Sequence, residues 1–199
     1  MTRQRRVATA LFVWACIPAT AHAHLVTTGF GSFYDGMAHL VITPSDVLLV
    51  LALALFAGQR GAATARSLLV VLPGAWLVGG VAGRAWPVTT DLPVVTTLSF
   101  MIVGLLVALD RRLPSTVAVG LAVVAGGLNG FLNGAVLRTA GMDRLALIGA
   151  VTAVFVVATL VPSWIVGLRR QWARIVVRVA GSWITAIGIL MLGWVTRRQ

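Results

Sequence analysis

Gly126-Gly127-Leu128-Asn129-Gly130-Phe131-Leu132-Asn133-Gly134 lies in the middle of a long apolar run. On a helix, Gly126, Gly130 and Gly134 recur at i, i+4 and i+8 and make one bare stripe, while Asn129 and Asn133 make a polar stripe beside it. A glycine stripe lets a second helix backbone come close, and an amide in hydrocarbon must find a partner or line a wet cavity. The segment therefore reads as the place where membrane helices meet, with two amides aimed at one spot.

Composition supports that class. The chain is 59% hydrophobic and 11% charged, with a mean hydropathy of +0.96, far too apolar for a soluble domain of 199 residues. Its formal net charge of +11 comes from 16 arginines, with no lysine, against five acids: Asp35, Asp46, Asp91, Asp110 and Asp143. These arginines sit mostly at the ends of apolar runs, so they read as topology signal and lipid headgroup contact rather than as a nucleic-acid surface. The single cysteine, Cys16, precedes the membrane segments, which leaves no disulfide framework and no thiolate metal site.

Residues 1–23 have the layout of a secretory signal: Arg3, Arg5 and Arg6, an apolar stretch from Val7 to Ile17, then Pro18 and the small-residue site Ala21-His22-Ala23. Eleven apolar residues are too few to span comfortably. Cleavage after Ala23 makes His24 the new terminus, with an amine and an imidazole that can chelate one metal ion. The plain alternative is that His24 is only the residue after the cut.

The first membrane element is expected to be broken. The run from Gly36 to Ile42 stops at Thr43-Pro44 and restarts at Asp46, and proline fits the first turn of a helix but not its interior. Thr43-Pro44-Ser45-Asp46 also has the form of a T-x-x-D capping box, which gives Asp46 a structural role compatible with a functional one. Further spans are expected at 67–83, 92–109, 114–137, 145–168 and 175–195, each close to the ~20 residues that cross a hydrocarbon core. The expected fold is thus all-α: one polytopic helical bundle over residues 24–199, with six transmembrane helices after the leader. With the mature N-terminus periplasmic, the inner loops carry seven arginines and the outer ones five, counted over the loops that these spans define. Trp86, Trp172 and Trp194 fall near span ends, as interfacial anchors do. Pro73 and Pro162 are expected to kink their spans, and Gly79 and Gly83 form a second G-x-x-x-G packing site.

The intramembrane candidates are His39, Ser45, Asp46, Asn129 and Asn133. His39 is the strong internal ligand in the mature chain; its structural alternative is a buried histidine bonded to a carbonyl. Asn129 and Asn133 are weaker donors to a transition metal, since amide oxygens suit harder cations, and their structural alternative is interhelical hydrogen bonding. The hydroxyls of Thr96, Thr97 and Ser99 read as ordinary helix hydroxyls. Enzyme chemistry is poorly supported: no serine sits in a nucleophile motif, H-E-x-x-H is excluded because the chain has no glutamate, and no phosphate loop is present.

The chain resembles the HupE/UreJ family of hydrogenase and urease accessory membrane proteins, regarded as nickel or cobalt permeases. The family's first-span signature resembles G-x-x-H-x-x-x-G-x-D-H-L-L, and residues Gly36 to Leu48 lie on it without a gap. Its fourth-span signature resembles F-H-G-x-A-H-G, which Leu128 to Gly134 match in glycines and spacing. His39 matches a family histidine, whereas the Asp-His pair falls on Ser45-Asp46 and both fourth-span histidines fall on Asn129 and Asn133. The resemblance implies an inner-membrane permease with a divalent cation as substrate, nickel or cobalt by type, and metal positions at His24, His39, Ser45, Asp46, Asn129 and Asn133. Losing three imidazoles predicts weaker binding or a harder ion. No other cofactor is expected; the partners are the bilayer, the ion, and a membrane subunit or second copy. The alternative is a non-transporting scaffold or accessory subunit for metalloenzyme assembly that has lost the ligands, with a neutral-solute channel third.

Overall fold

The computed structural model describes residues 28–86, 92–111, 113–167 and 171–197. The expected leader, 1–23, and His24 lie outside the described residues. Within them the chain forms seven helices and no strand: α1 (Ser32–Ile42), α2 (Pro44–Gln59), α3 (Ala62–Ala85), α4 (Pro93–Leu109), α5 (Ser115–Thr139), α6 (Arg144–Gly167) and α7 (Gln171–Thr196). Four of them, α3, α5, α6 and α7, are long and apolar enough to cross a membrane, and α1 with α2 passes the same test as a bent pair. α4 is apolar but has 17 residues. This is a multi-pass membrane protein.

The break between α1 and α2 follows from Pro44. Proline disfavours a helical conformation in the residue before it, and Thr43 is extended at φ −89°, ψ 102°. Pro44 then opens α2, where its missing N–H leaves no bond unmade. The two helices are bent by 78°. The capping box does not form: the Thr43 hydroxyl donates to the His39 carbonyl at 2.7 Å, and no side chain caps α2. The hydroxyl closes the end of α1 instead, and Asp46 takes a partner on another helix.

α3 begins at Ala62, five residues before the expected 67. Gly61, with φ 94°, makes the turn out of α2 that a residue with a Cβ resists, and helix formers follow at once. The Thr64 hydroxyl donates to Ser115 Oγ at 2.8 Å, tying the start of α3 to the start of α5. Both α3 and α6 run through their prolines, Pro73 and Pro162, which are buried. Trp86 and Trp172 stand exposed at helix ends, as interfacial anchors do.

α2 is the central helix. It packs on α4 and α6 and also meets α1, α3, α5 and α7. Leu49, Leu53, Phe56 and Ala57 are fully buried, in keeping with a helix that is apolar on every side. Around it stand three close pairs, α3 with α5, α4 with α7 and α1 with α6. Lipid tails are as apolar as leucine, so these pairs rely on dispersion between closely approaching backbones. The glycine stripe of α5 supplies that approach to α3. A methyl group on Gly130 would lie 2.5 Å from the Trp76 carbonyl oxygen, one on Gly126 would lie 2.7 Å from Leu72 Cδ1, and one on Gly134 would overlap the Gly80 carbonyl. From the other side Gly79 and Gly83 abut the carbonyls of Gly127 and Phe131. Both glycine motifs therefore belong to one interface.

The ends of the bundle are tied by arginines. Arg60 lies 3.5 Å over the Phe56 ring and donates to the Arg111 carbonyl at 2.5 Å. Burial lowers its guanidinium from the ordinary value and Asp110 opposes that effect. Asp110 itself closes α4 in the left-handed conformation and pairs with Arg174. At the other end of α3, Arg84 donates to the Met142 carbonyl at 3.0 Å, and Arg138 donates to the Arg84 carbonyl.

Candidate functional site

The polar stripe of α5 lies beside its glycine stripe, so when the glycines pack on α3 the asparagines turn toward α2 and α4. Asp46, in the first turn of α2, is 5% exposed, and Asn133 is 3% exposed. Asn133 Nδ2 donates to Asp46 Oδ2 at 3.0 Å, joining the first-span and fourth-span segments across 87 residues of sequence. One turn earlier, Asn129 is completely buried. Its Nδ2 donates to the Ala125 carbonyl at 2.8 Å and to Ser99 Oγ of α4 at 3.3 Å. Ser99 in turn donates to the Val95 carbonyl at 2.7 Å.

What is left unmade matters as much. Asn129 Oδ1 and Asn133 Oδ1 are both buried without a hydrogen-bond partner. A buried, unsatisfied polar atom costs about 1–3 kcal/mol, whereas a hydrogen bond to a charged group returns roughly 1.5–3 kcal/mol. Two such oxygens therefore cost about 2–6 kcal/mol, as much as the Asn133–Asp46 bond contributes or more. As a device for holding helices together the cluster is poor; as a set of acceptors held ready for a cation it makes physical sense.

His39 and Ser45 flank the bend and are half-buried. Neither side chain makes a hydrogen bond among the described residues, so no hydrogen bond ties them to the centre. Among the described residues no three His, Cys, Asp or Glu side chains gather. Asp46 and Asn133 come together, and the His39 imidazole makes no hydrogen bond to either.

Ser99 is the residue that a reading of the sequence passes over. A hydroxyl in a membrane helix ordinarily bonds its own i−4 carbonyl, and Thr96, Thr97 and Ser99 look alike in that respect. Thr97 is buried too, and its hydroxyl has no partner. Two residues along a helix turn the side chain by roughly 200°, so Thr97 serves a different face from Ser99. The buried Trp76 also keeps an unpartnered indole N–H, and nothing in its spacing signals it.

The HupE / UreJ protein family matches residues 11–191. Nothing matches among curated proteins or among solved structures. The matched range holds the broken first element, the asparagine stripe and the contact between them, and the chain belongs to the HupE/UreJ family.

Proposed function

We propose that the protein is an inner-membrane permease that moves a divalent transition-metal cation, nickel or cobalt by family type, through the polar centre between the first span and α5. Family membership supports a metal-linked accessory or transport role. The observation that carries the transport reading is the buried Asp46–Asn133 contact at 3.0 Å, because it brings the two signature segments of the resemblance to one place. In this reading α1 and α2 together form the first of six crossings, α3 to α7 the others, and the mature N-terminus is periplasmic.

The roles follow from the chemistry of each group. Asp46 supplies the negative charge that draws a cation out of water, and the free amide oxygens of Asn133 and Asn129 replace part of its hydration shell. His39 and Ser45, beside the bend, meet the ion on its approach, and His24 meets it first once the leader is removed. Backbone broken at membrane depth is tolerated where it lines a cavity, and in this reading the bend at Thr43-Pro44 lines the path of the ion. No catalytic residue is assigned. Metal accumulation in cells expressing the protein tests the reading: Asp46→Asn and His39→Ala are expected to lower uptake, and equal accumulation in all three would eliminate transport.

A second reading is favoured by the lack of any gathering of three His, Cys, Asp or Glu side chains among the described residues. In it the bundle is a membrane scaffold or accessory subunit for metalloenzyme assembly. Co-purification with another membrane subunit and no bound metal supports it, and stoichiometric metal without a partner argues against it.

A further inference from the structure

The orientation of the two amides narrows the ion. An asparagine side chain has a donor end and an acceptor end, and here each donor end is bonded to protein. Asn133 gives its NH2 to Asp46. Asn129 gives its NH2 to the Ala125 carbonyl and to Ser99 Oγ. Because Ser99 commits its own proton to the Val95 carbonyl, its oxygen can only receive from Asn129. Turning the Asn129 amide over would set its oxygen against the Ala125 carbonyl, and turning Asn133 would set an oxygen against a carboxylate. Each reversal replaces attraction with repulsion, so both free ends are oxygens, both buried and both without a partner.

We infer that Asp46, Asn133 and Asn129 form an all-oxygen site for a hard divalent cation of the Mn2+ or Mg2+ kind, with Ser99 as the positioning residue that keeps the Asn129 oxygen facing the ion. This rests on the reading of the centre as a cation site and departs from the nickel or cobalt type of the family by assigning a harder class of ion. Carboxylate, amide carbonyl and water suit Mg, Ca and Mn, whereas imidazole suits Ni, Cu and Zn. One carboxylate with neutral oxygens and retained waters is an arrangement that small hard cations accept. The two unpartnered atoms of these side chains are oxygens, which attract a cation and repel an anion. Ser99 touches no ion; it acts on Asn129.

The test is a titration of the purified full-length protein in detergent with Mn2+, followed by loss of the free-ion electron paramagnetic resonance signal, with Mg2+ and Ni2+ as competitors. The expected result is saturable Mn2+ binding reversed by Mg2+, with Ni2+ preferred over Mn2+ by no more than about tenfold. Ser99→Ala is expected to weaken Mn2+ binding by about 10-fold or more, the usual effect of losing a group that orients a metal ligand, and Ser99→Thr, which keeps the hydroxyl, to restore it. Asn129→His, which brings in an imidazole, is expected to shift preference toward Ni2+ by at least about tenfold. A wild-type preference for Ni2+ of about a hundredfold or more, or Mn2+ affinity unchanged in a folded Ser99→Ala, overturns the all-oxygen assignment and leaves the permease reading standing. Failure of every ion to bind, together with no cellular uptake, overturns both.

Discussion

Asp46 and Asn133 show how much hangs on single side chains in this bundle. A carboxylate that is 5% exposed, with one neutral amide donating to it, has little margin. Asn133→Leu removes that donor and strands the carboxylate, which is expected to cost about 1–3 kcal/mol, read as a lower midpoint of thermal unfolding in detergent. Asp46→Asn keeps the shape and a hydrogen-bonding group while deleting the charge, so its unfolding midpoint is expected to fall less than that of Asn133→Leu. The reverse order would mean that the contact is not the one that holds α2 to α5. Thr43 is a smaller case. Its hydroxyl bonds the His39 carbonyl, so Thr43→Val is expected to cost about 0.5–1.5 kcal/mol by the same measurement, the ordinary net worth of one hydrogen bond. The capping-box reading of that stretch makes a different prediction, namely that Asp46→Ala frays α2 through loss of an N-terminal carboxylate, and the Thr43 bond removes its basis.

Among the elements, α3 and α5 depend on the absence of side chains. Gly134→Val drives methyl groups into the Gly80 backbone, which unlike a flexible side chain cannot move aside. The expected loss is at least ~1–3 kcal/mol, the cost of overpacking a close interface, with detergent-solubilised protein unfolding earlier or failing to fold. On the same helix, a methyl group added at Gly120 would meet nothing within 4 Å, so Gly120→Ala is expected to be neutral or slightly stabilising. Equal damage from both would show that the stripe is not the packing face. A close-packing face on α5 is legible in the spacing of Gly126, Gly130 and Gly134, as is the break at Pro44, because both depend on local rules of backbone and Cβ; that α3 fills this face is not. The central place of α2 is not legible. A helix apolar on all sides looks the same whether lipid or protein surrounds it, and only the contacts made by Leu49, Leu53 and Phe56 distinguish the two. Nor is Ser99, whose role depends on Asn129, 30 residues away and on another helix.

At the scale of the whole molecule, charge and bulk are divided between the ends and the middle. The ends are held by arginines on carbonyls and by the Asp110–Arg174 pair, in which the Arg174 side chain is 61% exposed and that of Asp110 11%. With the arginine largely in solvent the pair contributes little, so Asp110→Asn is expected to change stability by about 1 kcal/mol or less and to leave ion binding unaltered. The middle holds one buried carboxylate and two free amide oxygens, and transport requires that an ion pass there. The most direct measurement is divalent-cation flux into proteoliposomes containing the purified protein, run side by side for the wild type and Asp46→Asn with matched folding by circular dichroism. Protein-dependent flux is expected in the wild type and is expected to fall by about tenfold or more in Asp46→Asn, since removing the charge at a buried site forfeits at least ~1.4 kcal/mol of ion binding. Flux that is the same in both, or that equals empty vesicles in both, contradicts passage of an ion through this centre.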